Sequence, residues 1–237
     1  MTRALAPTRR TSGPPLVACR FGDVELALHP AGVALVPAER LMIVADLHLE
    51  KATAFAVRGQ MLPPYETVET LRRLTRLVEE YAPERVILLG DSFHSRHHAI
   101  EAGSPARHLI DSLGQRSDLV WIAGNHDPEV PLEVPGRMAA EWQVSSLTLR
   151  HAPEADGRRE IVGHLHPTGR LMTRAGVQRR KCFVLSAGRL LMPAFGALTG
   201  GIDVSDPLIS RWFAEGDARA FLMCRETLQE VPAAVLR

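Results

Sequence analysis

The chain has 237 residues, 46% hydrophobic and 23% charged, the length and balance of an ordinary globular protein with one large domain or two small ones. A formal net charge of +1 excludes the strongly basic signature of a nucleic-acid coat or histone-like protein, so any attraction for a polyanion has to come from a local patch or from bound cations. Three cysteines (Cys19, Cys182 and Cys224), odd in number and far apart, exclude a disulfide framework and a Cys-based zinc site, and read as small buried hydrophobes.

Residues 1–16 are rich in Arg, Thr and Pro and lack an apolar signal core, so they read as a flexible tail ahead of a single domain over 17–237. No apolar run reaches the ~20 residues that span a bilayer, and a cytoplasmic protein is expected. Val24 to His29 and Gly32 to Val36 predict a hairpin that turns at His29-Pro30-Ala31-Gly32. Leu41 to Ala45 is a continuous apolar run, as a strand buried on both faces requires; Arg85 to Leu89 and Asp118 to Ala123 are alike. Between the first two runs, Val68, Leu71, Leu74, Leu77, Val78 and Tyr81 fall on one face of a helix over Tyr65 to Tyr81. Arg72, Arg73, Arg76 and Glu79 on its other face read as solvated. A second helix is expected over Ala99 to Leu113. After Glu141 short segments follow (Val144 to Leu149, Glu160 to Gly163, Leu171 to Thr173, Cys182 to Ser186, Leu190 to Met192), which predict a second, mostly antiparallel sheet. Two sheets face to face with helices outside satisfy this order.

The chemistry follows the buried runs. The first ends in Asp46-Leu47-His48, the second in Gly90-Asp91-Ser92-Phe93-His94, and the third in Gly124-Asn125-His126-Asp127. Open α/β sheets place ligand sites at that end of their strands. Glycines before Asp91 and Asn125 permit tight turns and close backbone approach. Arg150-His151 and Gly163-His164-Leu165-His166 come later. The pairs Asp46/His48 and His164/His166 are each two apart, which on an extended strand points both side chains to one face. Mixed oxygen and imidazole donors without thiolate suit Mn²⁺, Fe²⁺ or Zn²⁺. Their number exceeds the needs of one ion, so two ions sharing a carboxylate is the economical arrangement. Average residue usage produces Gly-Asn-His-Asp in a chain of this length with a probability on the order of 10⁻³. His29, His97, His98 and His108 carry no such pattern and read as surface or capping residues.

These motifs, from Asp46 to Pro167, resemble those of the calcineurin-like metallophosphoesterase superfamily. The resemblance implies a four-layer αββα sandwich of two mixed sheets. It implies that Asp46, His48, Asp91 and His166 hold one ion, that Asp91, Asn125, His151 and His164 hold the other, and that His126 contacts the substrate phosphate. Leu47 to Lys51, Gly90 to Arg96, and Leu191 to Gly196 with Thr199-Gly200-Gly201 are similar to the ligase-associated DNA damage response phosphoesterases. That narrower resemblance implies an endonuclease linked to a DNA ligase, a helicase and an exonuclease, with DNA as substrate and Mn²⁺ as the first choice of metal. Many phosphatases of the superfamily have Asp where His94 stands; repair exonucleases are similar in carrying Gly-Asp-x-Phe-His. This departure tilts the reading toward a DNA phosphodiester.

The expected chemistry is hydrolysis by a metal-activated water, with His126 and His94 stabilising the transition state or protonating the leaving oxygen. Arg96, and more weakly Arg58, are candidates for flanking phosphates, and Asp127 for orienting the loop or capping a helix. The alternatives are a phosphatase or pyrophosphatase acting on a small nucleotide or lipid precursor, and a non-catalytic repair scaffold.

Overall fold

A computed structural model describes residues 14–56, 59–63, 65–94, 100–128, 133–174, 176–213 and 218–236. The first sheet contains β1 (Val17–Phe21), β2 (Val24–Leu28), β3 (Ala34–Val36), β4 (Leu41–Val44), β5 (Arg85–Leu89), β6 (Asp118–Ile122) and β7 (Arg137–Ala139), hydrogen-bonded in that order. The second contains β8 (Trp142–Val144), β9 (Leu147–Arg150), β10 (Arg159–Val162), β11 (Pro167–Thr173), β12 (Gly176–Leu185), β13 (Arg189–Leu191), β14 (Ile202–Asp203), β15 (Arg219–Cys224) and β16 (Thr227–Pro232). The helices are α1 (Lys51–Ala56), α2 (Glu66–Tyr81), α3 (Pro105–Arg116) and α4 (Pro207–Ser210).

Three apolar layers hold these elements together, which makes a four-layer αββα sandwich. The central layer joins the sheets: Ile43, Ile87, Leu89, Val120 and Ile122 face Leu149, Ile161, Phe183, Leu185 and Phe221. On the outer face of the first sheet, Met42, Val44, Val86, Leu88 and Trp121 meet Leu71, Leu74 and Val78 of α2 and Ile110 and Leu113 of α3. On the outer face of the second, Val162, Cys182, Val184, Leu191 and Leu222 meet Val204, Ile209 and Trp212 around the four-residue α4, so that layer is thin. Each large aliphatic side chain buried in these layers contributes roughly 1.5–3 kcal/mol. The strands buried on both faces are the continuous apolar runs of the sequence.

The expected hairpin forms between β2 and β3, closed by Gly32 N–H donating to His29 O. His29 is buried, so of its two expected roles, surface or capping, the surface one is corrected. Its Nδ1 accepts from Ala31 N–H at 2.9 Å and its ring meets Tyr81 edge-on, so it caps the turn from inside. Of the others, His108 is exposed, and positions 97 and 98 lie outside the described residues. The second helix begins at Pro105, later than expected, because Ser104 caps it by accepting from Arg107 N–H at 3.2 Å and Pro105 occupies its first turn. Cys182 is buried and Cys19 and Cys224 are half-buried, all as free thiols.

In the first sheet β4, β5, β6 and β7 run parallel. Antiparallel pairs prevail in the second, but its middle is parallel, with β10 between β9 and β13. That middle is fixed by a charge cluster. Glu160, fully buried, receives Arg150 Nε at 2.5 Å on one oxygen and Arg189 on the other, while Arg150 also pairs with Asp156 at 2.9 Å. Glu160→Ala is expected to cost about 3–5 kcal/mol by leaving two largely buried guanidiniums without it. A urea melt reads this; a loss below about 1 kcal/mol contradicts the account.

Candidate metal centre

Every metal-ligating candidate follows the carboxyl end of a strand. Asp46 and His48 follow β4, Asp91 follows β5, Asn125 and His126 follow β6, His151 follows β9, and His164 and His166 follow β10. Because both sheets present these ends to one edge, eight residues separated by up to 120 positions in sequence lie along it.

Six of them meet in two groups, and a third group joins His48 and Asp91 to His126. Asp46, His48 and His166 offer ligand atoms within 4.8 Å of one another, and so do Asp91, His151 and His164. His48 Nε2 lies 3.3 Å from His166 Nε2, and His166 Nε2 lies 3.2 Å from Asp46 Oδ1. In the other group His164 Nδ1 is 3.2 Å from His151 Nε2, which is 3.4 Å from Asp91 Oδ1. Asp91 stands between the groups, since its Oδ2 is 4.0 Å from His48 Nε2 and 4.0 Å from His126 Nε2. Asn125 is exposed, between Gly124, which lies against Asp91, and His126, whose N–H donates to Asp91 Oδ1 at 2.9 Å.

The two-apart pairs converge by a route other than an extended strand. Asp46, His48, Asp91, His164 and His166 all have left-handed backbones, with φ of 53°, 47°, 46°, 65° and 45°. Non-glycine residues rarely adopt this region and cluster at functional sites when they do. After β4, β5 and β10 the chain leaves the strand in left-handed turns that carry these five side chains. The neighbouring glycines are spatial requirements: a Cβ on Gly90 would sit 2.5 Å from His151 Nδ1, and one on Gly124 would sit 2.2 Å from Asp91 N.

The donor set fits divalent cations. Asp46 and Asp91 are buried, and among the described residues no Lys or Arg nitrogen comes within 4.0 Å of either carboxylate; imidazoles and the backbone N–H groups of His126 and His164 do. Pairs of imidazole nitrogens face each other at hydrogen-bond distance. Burial pulls the His48 imidazole down to about 4, which keeps it a neutral donor. Burial also opposes charge on His151, but the hydrogen bond and charge of Asp91 with the charge of Asp46 push it up to about 9. For Asp91, burial favours the neutral acid and is outweighed by His151, the His126 N–H and His48, which hold its carboxyl well below the usual range. This field holds a proton on His151, and a divalent cation supplies the same positive charge. His151 Nδ1–H donates to Leu89 O at 2.9 Å, an outer contact that fixes ring orientation and leaves Nε2 as the donor.

Beside the groups runs a row of rings. His126, its side chain 47% exposed, stacks on His94 at 5.2 Å between centroids, and His94 meets Phe55 of α1 at 5.6 Å. Arg96 and Arg58 lie outside the described residues. Asp127 orients the loop instead of capping a helix. Its Oδ2 accepts from Ser92 N–H at 2.7 Å and Phe93 N–H at 3.0 Å. Burial, with the charge of Asp91, pushes its carboxyl up to about 6.

The family profile of calcineurin-like phosphoesterases matches residues 39–184, which contain all of these donors. The chain belongs to that family. Among solved structures, the crystal structure of Pseudomonas putida nuclease MPE is similar at 27% identity and a TM-score of 0.70, covering 91% of this chain and all of that one. A protein of unknown function from Aquifex aeolicus, AQ665, overlaps 57% of this chain and 81% of its own at 15% identity and a TM-score of 0.38. A comparison with curated proteins returns no match.

The sequence reading missed Arg73, taken as solvated. Its guanidinium lies 4.5 Å over the Phe195 ring and donates to Phe195 O and Ala31 O at 3.3 Å each. A cation on the outward side of an amphipathic helix gives no local sign that another loop covers it. The same is true of Phe55 and Lys181, whose surroundings come from distant segments.

Proposed function

We propose that the chain is a dinuclear-metal phosphodiesterase that cleaves a nucleic-acid strand, DNA foremost, in repair. The observation that carries it is the place of Asp91, within 4.0 Å of imidazole nitrogens from both donor groups. Asp46, His48, Asp91 and His166 would hold one cation and Asp91, Asn125, His151 and His164 the other, with Mn²⁺ first and Fe²⁺ or Zn²⁺ compatible with the same donors. When bound, such a pair neutralises charge on the phosphoryl oxygens and provides a nucleophile at neutral pH.

The residues of the chain have the following parts in this reading. Asp91 sets the spacing of the pair and, through the His126 N–H, the position of the substrate-facing loop. His126, the exposed imidazole beside the donors, holds a proton at Nε2 toward the leaving oxygen. His94 stacks behind it and fixes its plane. The likeness to nuclease MPE over nearly the whole chain supports a nucleic-acid substrate. A link to a DNA ligase, a helicase and an exonuclease rests on the narrower motif resemblance.

The test is a manganese-supported panel of single-stranded DNA, duplex DNA, a bis-aryl phosphodiester and an aryl phosphomonoester. Cleavage of DNA and of the diester is expected. Turnover of the monoester alone overturns the phosphodiesterase reading in favour of a small-molecule phosphatase.

A further inference from the structure

The segment 194–201 lies outside the family match, yet it touches the donors from behind. Phe195 N–H donates to Ala45 O at 2.9 Å and Gly196 N–H donates to Asp46 O at 3.1 Å. A Cβ on Gly196 would lie 2.3 Å from Leu47 O, and one on Gly201 would lie 2.4 Å from His166 O. Ile202 N–H then donates to His166 O at 3.1 Å. The segment is therefore a strap whose two ends press on the backbone of Asp46–His48 and of His166. Those three residues form one donor group. The other group meets the strap only through the first: His164 N–H donates to Asp46 Oδ2 at 3.0 Å and His48 N–H donates to Asp91 O at 2.9 Å, while Leu89 O, Gly90 and Gly124 hold it from its own side.

Three cationic side chains from three elements hold the strap by its carbonyls. Lys181 of β12 donates to Ala194 O at 2.8 Å, Gly196 O at 2.9 Å and Thr199 Oγ1 at 2.6 Å. Arg73 of α2 takes Phe195 O, and Lys51 of α1 takes Leu198 O at 2.8 Å. An ammonium has three donors, and all three of Lys181's are satisfied by the strap. Burial, then the nearby charge of Arg73, brings the Lys181 ammonium down to about 8, so the fold keeps a cation there against a desolvation cost. A purely apolar filler would close the same space, whereas three hydrogen bonds from one ammonium set carbonyl directions.

We propose that Lys181 is a positioning residue: by fixing the strap 194–201 it sets the Asp46–His48–His166 cation site directly and the Asp91–His151–His164 site only at second hand. The proposal rests on the metal centre proposed above. Outer contacts of this kind alter metal affinity roughly 10–100-fold when removed.

The experiment is a manganese titration of the metal-stripped full-length protein, followed by calorimetry and by electron paramagnetic resonance. Wild type is expected to take two ions per chain and to give an exchange-coupled dimanganese signal. Lys181→Met is expected to bind one ion with the smaller loss, bind the second roughly 10–100-fold more weakly, and show a mononuclear six-line signal until saturated. Two ions at wild-type affinity overturn the proposal, as does equal weakening of both in a protein with wild-type circular dichroism. Thr199→Val removes one acceptor of the ammonium, and the same selective weakening, smaller in size, is expected. It decides the matter if Lys181→Met fails to fold. A wild-type protein that binds fewer than two ions overturns the metal-centre reading itself.

Discussion

Asp91→Ala will give a folded protein that retains neither ion after gel filtration and hydrolyses the bis-aryl diester on the order of 10⁴-fold more slowly. The rate follows from losing several kcal/mol of transition-state charge stabilisation, at about 1.4 kcal/mol per factor of ten. The loss of both ions follows from position. The two oxygens of Asp91 lie 3.4 Å from His151 and 4.0 Å from His48, one imidazole of each donor group, and without them Asp46 is the one carboxylate of the two groups left to balance two dications. The fold is expected to survive, because the apolar side chains of β5 stay in the two layers that hold it. Metal content and rate are read on the same sample. Two ions per chain in Asp91→Ala would remove the basis for a shared carboxylate.

His126→Ala is expected to behave oppositely: full metal content, with DNA turnover lowered about 10²–10⁴-fold. The contact that ties this residue to Asp91 is its backbone N–H, which alanine keeps, while the side chain is half exposed and its Nε2 is 4.0 Å from the carboxylate. The deficit should shrink on the bis-aryl diester, because an aryl oxide leaves without a proton whereas a sugar alkoxide does not. His126 also belongs to a possible donor group with His48 and Asp91. Release of metal from His126→Ala, with equal deficits on both substrates, would assign it to the ions and not to the leaving group.

Much of this was legible in the sequence for a physical reason. Strands buried on both faces must be continuously apolar, so the polar residues after Ala45, Leu89 and Ile122 mark where the chain emerges. That gave strand ends, and strand ends gave the candidate donors. The long helix was legible because one stripe of it is buried. Less legible were features decided by distant partners. Residues 100–104 of the second predicted helix are not helical, because Ser104 and Pro105 start it later. β15 and β16 lie in a stretch where no motif pointed to chemistry. Lys181 and Arg73 resemble surface cations locally; only the fold brings the carbonyls of 194–196 onto them. The two-apart spacing of Asp46 and His48 gave the right neighbours by the wrong geometry, since extended alternation is replaced by left-handed coil.

That coil bears on how such a centre can be moved or redesigned. A donor carried on a regular strand can be transplanted by matching residue positions on another sheet. Here five donors owe their direction to torsions that an ordinary side chain adopts only when its surroundings insist. Copying the aspartates and histidines onto a similar pair of sheets would reproduce the composition of the centre without its shape. A successful graft has to carry the turns, the glycines they press against and the segment behind them as one block.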